Sequence, residues 1–119
     1  MESSFSQWVP LGTLTLSHLP RAGGFSAVYA LSEIASGDIL KFGCTGSLRR
    51  RIFGNYFGGI GGQTTKRIHA QLFENGMLTK VAIAWVETGD RAEAERIEKE
   101  LRRNYTKVHG HRPPWDRLD

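Results

Sequence analysis

Two residues of this sequence most need a chemical reason: a glutamate inside the apolar stripe of one helix and an arginine near the start of another. Over residues 90–105, Ala94, Ile97, Leu101 and Tyr105 recur at helical spacing and define a face turned toward a core. Glu98 falls inside that stripe, whereas Glu93, Glu95 and Glu100 fall outside it, where a pair such as Glu95 with Lys99 is an ordinary solvated contact. A carboxylate taken out of water is costly unless a cation or a metal partners it. Two partners are open, a metal ion or Arg102 in a pair at the edge of the stripe. Earlier in the chain, Arg49, Arg50 and Arg51 follow Ser47. Arg51 comes after Leu48 and just before Ile52, so at about 100° per residue it is the arginine nearest the buried face. A guanidinium held there can fork two bonds to a carboxylate or a phosphate, while three solvated cations would supply only general attraction.

These side chains need elements to carry them. Residues 25–31 and 39–45 are apolar and β-prone around the turn chemistry of Ser36-Gly37-Asp38, which reads as an antiparallel hairpin. Ser47 caps a helix over residues 48–56, and a second helix starts near Thr64 or Thr65 and stops at Asn75-Gly76. Residues 78–86 give a third strand. Asp90 and Glu93, at capping-box spacing, open the last helix, which runs to about residue 105 before Pro113-Pro114-Trp115 forbids more. In the first 23 residues, Leu14 and Leu16 alternate with Thr13, Thr15 and Ser17 as in a short strand, and Pro20 and Gly23-Gly24 then break the pattern. The reading is an arm, residues 1–23, laid on one domain, residues 24–119. Its fold class is α+β, a small three-stranded antiparallel sheet flanked by about three helices.

With the elements placed, Val28-Tyr29, then Lys41-Phe42-Gly43, then Thr45, Leu48 and Arg51 resemble the pattern of the GIY-YIG nucleases. In that family two tripeptides on a hairpin precede an arginine, and a later helix, here residues 94–103, carries a metal-binding glutamate. The resemblance spans residues 24–116. It implies a metal-dependent endonuclease that hydrolyses phosphodiester bonds in nucleic acid, DNA ahead of RNA, by in-line attack of water. Tyr29 would position and deprotonate the water, Arg51 would stabilise charge on the phosphoryl oxygens, and Glu98 would hold Mg²⁺ or Mn²⁺. The chain departs from the pattern in places. The first tripeptide reads Ala27-Val28-Tyr29, Lys41 stands in place of a tyrosine, Phe42 in place of a smaller residue, and Asp116 in place of an asparagine. Lys41 is expected to hold phosphate, to help deprotonate water or to disable the site; in the last case the domain binds nucleic acid without cutting it. A protein-interaction domain, with Glu98 and Arg51 as an internal pair, is the third class.

His69, on the second helix, is either a surface imidazole or a proton-transfer group. Arg49, Arg50, Lys66 and Arg67 are expected to meet nucleic acid, and Gln63 with the glycine loop of residues 58–62 to line the groove. His109 and His111, with no cysteine or carboxylate at ligand spacing, make a weak zinc candidate. At 119 residues the chain fits one domain, and 39% hydrophobic residues suffice for a core. A net charge of +4 and a pI of about 9.6 favour a polyanionic partner. The single cysteine, Cys44, excludes an internal disulfide and fits a reducing compartment. Without a leader-like start or an apolar run of about 18 residues, the expectation is a cytoplasmic protein with no membrane association. No appended reading head follows the domain, so targeting is expected from shape, strandedness, self-association or a protein partner.

Overall fold

Ser26–Glu33 contains no residue larger than tyrosine and no charge before its last position, and seven of its eight residues are buried. A strand so fully covered must lie inside a sheet with both faces packed. The computed structural model, which describes residues 5–20 and 26–117, places it there. The strands are β1 (Val9–Pro10), β2 (Ser26–Glu33), β3 (Ile39–Thr45) and β4 (Val81–Thr88), in the order β1-β4-β2-β3 with every pair antiparallel. β3 is therefore an edge strand, and its register sets Tyr29 opposite Gly43 and Val28 opposite Cys44. Directly opposed residues share a face, so Tyr29 and Gly43 face one side and Val28 and Cys44 the other.

On the first side, Ala27, Tyr29, Leu31 and Ile83 meet Leu48, Ile52 and Tyr56, Ile68 and Leu72 of α1 (Gln63–Phe73), and Leu11, Leu14 and Leu19 of the arm. On the second side α2 (Arg91–His109) crosses β2 and β3. The buried residues Val28, Ala30, Ala84 and Ala94 are small, which lets the helix approach.

The α+β class holds, but the sheet has four strands rather than three. The extra one is two residues long and ends in proline, so it shows no alternation, and it pairs only with β4. The strand expected around Leu14 and Leu16 is absent. Leu11–Thr13 and Leu16–His18 form 3-10 turns, and the Thr15 N–H donates to His18 Nδ1 at 2.8 Å, a local bond that displaces strand pairing. Leu78–Lys80 is likewise a 3-10 turn, so the strand after it starts at Val81. The boundary expected between residues 23 and 24, and Phe25 at the head of the hairpin, lie outside the described residues. No helix among the described residues is long and apolar enough to cross a membrane.

α2 begins as the capping spacing suggests. Asp90 Oδ1 accepts from the Glu93 N–H at 2.8 Å, while the Glu93 carboxylate reaches back to the Gly89 N–H at 2.7 Å. Asp90→Ala should lower stability by about 1 kcal/mol in urea unfolding. An unchanged midpoint would mean that tertiary packing alone sets this helix start.

Candidate functional site

Tyr29 is 0% exposed, and its phenol ring crosses the edge strand above Gly43. A Cβ built on Gly43 would collide with the end of that ring, at both Cζ and the hydroxyl oxygen. Only glycine at this place lets the hydroxyl pass over β3 and reach the helix beyond it.

That helix is unusual. Leu48 and Arg49 begin it, Ser47 Oγ accepts from the Arg50 N–H at 3.2 Å, and Arg50–Tyr56 then widens to a π-helix. The Phe57 N–H reaches the Ile52 carbonyl, five residues back, at 2.8 Å. In an α-helix Arg51 and Tyr56 would point about 140° apart. A five-residue repeat brings them to one side. Both reach Tyr29: its hydroxyl lies 2.5 Å from the Tyr56 hydroxyl, and Arg51 Nη1 donates to it at 3.2 Å. The two rings meet edge to face, 6.3 Å between centroids.

Burial first, and then the neighbouring Tyr56, push the Tyr29 pKa well above that of an ordinary phenol, against a smaller opposing effect from Arg51. Tyr29 is thus an enclosed hydroxyl held between Tyr56 and Arg51. Around Arg51, burial disfavours the charge, but the two hydroxyls outweigh it and the pKa is raised. Among the described residues Arg51 has no carboxylate partner.

On the opposite face, Glu98 is 17% exposed and is not free. Its Oε2 accepts from Arg102 Nη2 at 2.9 Å, and its Oε1 faces the Cys44 thiol at 3.4 Å. Arg102 Nε also bonds Asp116 Oδ2 at 2.9 Å, and Asp116 Oδ1 takes Lys41 Nζ at 3.1 Å. A chain of charges, Lys41, Asp116, Arg102 and Glu98, therefore closes over the edge strand. The pairing of Glu98 with Arg102 is the non-metal alternative of the sequence reading. Lys41, expected to hold phosphate, to help deprotonate water or to disable the site, has its amine on Asp116. Arg102 is penalised by burial, yet Asp116 and Glu98 raise its pKa and keep it charged. Because Gly43 and Cys44 are consecutive, the Tyr29 and Glu98 clusters flank the same point of β3.

The other expected residues divide. His69 Nδ1 lies 2.9 Å from the Tyr56 carbonyl, so its ring supports the backbone of Tyr56 and not the hydroxyl. Arg49, expected on nucleic acid, turns inward: its Nε and Nη2 donate to the Leu19 carbonyl at 3.2 and 3.1 Å and tie the arm down. Arg50, Gln63, Lys66 and Arg67 are exposed. His109 and His111 gather around Tyr105, and among the described residues no group of three or more His, Cys, Asp or Glu side chains could hold a metal. Glu98 Oε1, whose partner is only a thiol, is the oxygen best placed to take an ion. A single carboxylate suits Mg²⁺, which keeps several waters. Tyr56 and Cys44 are site neighbours that the sequence reading missed. Compared with protein-family models, curated proteins and solved structures, the chain matches none.

Gly43→Ala should cost about 1–3 kcal/mol through overpacking and displace the Tyr29 hydroxyl from Arg51. Full stability with unchanged tyrosine fluorescence would show that Tyr29 does not depend on the gap. Cys44 offers a second check. Burial, then the Glu98 charge and hydrogen bond, raise its pKa from 9.0 to about 11, so the thiol is protonated at neutral pH. Glu98→Gln should speed iodoacetamide alkylation and lower the pKa toward the value that burial alone sets. Equal rates and pH profiles in the two proteins would place Glu98 away from the thiol.

Proposed function

We propose that this chain hydrolyses phosphodiester bonds in nucleic acid, DNA ahead of RNA, and that Arg51 is the residue that meets the reacting phosphate. The supporting observation is the company Arg51 keeps. An arginine paired with a carboxylate has its charge cancelled, whereas one held by two neutral phenols keeps its full charge in a fixed place. Tyr29 and Tyr56 act on it as positioning residues, and both are too buried to touch substrate. The half-buried guanidinium stabilises the charge that grows on the phosphoryl oxygens as water attacks in line. Bound at Glu98, Mg²⁺ or Mn²⁺ would supply Lewis acidity for the phosphate and the leaving oxygen. Arg102 keeps the other Glu98 oxygen in place. The resemblance to the GIY-YIG pattern points the same way, on Tyr29, Gly43, Arg51 and Glu98.

A second reading has an observation of its own. Lys41 and Asp116 occupy each other and Arg102 occupies Glu98, an arrangement that suits a module binding nucleic acid without cutting it.

Purified protein incubated with labelled single-stranded, duplex and branched DNA and with RNA, in Mg²⁺, Mn²⁺ or EDTA, separates the two. Hydrolysis requires metal-dependent cleavage; Arg51→Ala should then lose about 10²-fold in rate. Arg50→Ala should mainly weaken binding and its salt dependence. Salt-sensitive binding with no cleavage in any metal would select the second reading, and equal rate losses at the two arginines would reduce the helix to a basic patch.

A further inference from the structure

Three of the four carboxylates of α2 find their partners toward its start and across the sheet edge. Glu95 bonds Arg91 at 2.8 Å, not Lys99 as its spacing suggests, Glu98 bonds Arg102, and Glu93 caps the Gly89 N–H. Beyond Glu100 the helix carries cations and no carboxylate. Lys99, Arg103 and Lys107 follow one another at four-residue steps, about 6 Å apart and about 12 Å from first to last along the helix. With Arg102, Thr106 and Arg112 they wall a groove of about 510 Å³ that has no acidic residue in its lining. Lys99, Arg103, Lys107 and Arg112 are exposed, and among the described residues none is in an ion pair.

We propose that this groove seats the phosphate backbone of a nucleic-acid strand and leads it to the edge-strand site through Arg102. The inference rests on the nucleic-acid reading above and names a contact surface separate from Arg50, Lys66 and Arg67. Lys99, Arg103 and Lys107, spaced one turn apart, carry like charges that repel one another, and among the described residues none of the three is held in an ion pair. One small anion answers one or two of these cations. A strand, with a phosphate about every 3.4 Å along the axis, sets three or four phosphates against the same 12 Å or so and releases their counterions. Arg102 belongs both to the groove wall and to the pair with Glu98, which joins the two places.

The test is binding in EDTA, where no cleavage intervenes. Fluorescence anisotropy with a short labelled single strand and a duplex is measured against salt for the wild type, for Lys99→Gln/Arg103→Gln/Lys107→Gln, and for Lys80→Gln, an exposed cation outside the groove. The triple variant should bind at least about 10-fold more weakly. Its slope of log affinity against log salt should fall by roughly two to three on duplex, at about 0.9 for each phosphate that is no longer neutralised. Lys80→Gln should leave the slope unchanged, and circular dichroism checks that each variant folds. Wild-type affinity and slope in the triple variant would overturn the proposal, as would a wild type that binds phosphatidylserine vesicles and no nucleic acid. A wild type that binds with this slope but never cleaves sinks the hydrolase reading and leaves the groove standing. Cleavage with KM unchanged in the triple variant does the reverse.

Discussion

The passage of the Tyr29 hydroxyl over the edge strand is the contact on which the rest of the site depends. It requires a residue without a side chain at position 43, because any Cβ would occupy the space of the phenol. It requires the helix after β3 to present two groups five residues apart on one side, which an α-helix does not do and a π-helix does. It also requires the Tyr56 backbone to stay in place, and His69 holds that carbonyl from α1. The outcome is a cation at the sheet edge whose immediate partners carry no charge.

On the other side of the same strand, two of the four places where the chain differs from the GIY-YIG pattern it resembles are linked. Lys41 stands where that pattern has a tyrosine and Asp116 where it has an asparagine, and the two side chains bond each other. Lys41 without Asp116 would be left as an unpaired charge in a place from which water is largely excluded, since its side chain is 13% exposed, whereas Asp116 has Arg102 as a second partner. Such an unpaired charge is among the costlier defects a fold can carry. Together with Arg102 they fasten the C-terminal turn to β3, so Lys41 has a structural partner before any substrate arrives.

Much of this is legible in the sequence, and the misses have physical causes. Helical phase puts Arg51 and Glu98 on inward faces, and both are partly buried in the structure, although the segment that carries Arg51 is a π-helix. The same α-helical phase hides Tyr56, since a five-residue repeat is not written in any residue of Arg50–Tyr56. Arg49 reads as a cation free to meet nucleic acid because its partner, the Leu19 carbonyl, lies thirty residues away, and long-range backbone acceptors leave no local pattern. Leu14 and Leu16 mimic strand alternation, but a threonine and a histidine at the right spacing close a tight turn instead. Cys44 reads as a redox clue only. Its place against Glu98 follows from strand register, which a sequence determines only once its pairing is known.

Charge balance ties the two halves of the site together. Lys41 and Arg102 oppose Asp116 and Glu98, so the network over β3 is neutral as it stands. A divalent cation placed at Glu98 by itself would add two positive charges next to Arg102 and meet its repulsion. A phosphodiester placed there by itself would bring a negative charge toward Glu98 and Asp116. The ion alone brings the neutral network to +2, whereas ion and phosphodiester together bring it to +1, so the phosphate eases the repulsion that the ion meets. On the proposed reading, a metal ion would therefore enter the site more readily with nucleic acid than without it.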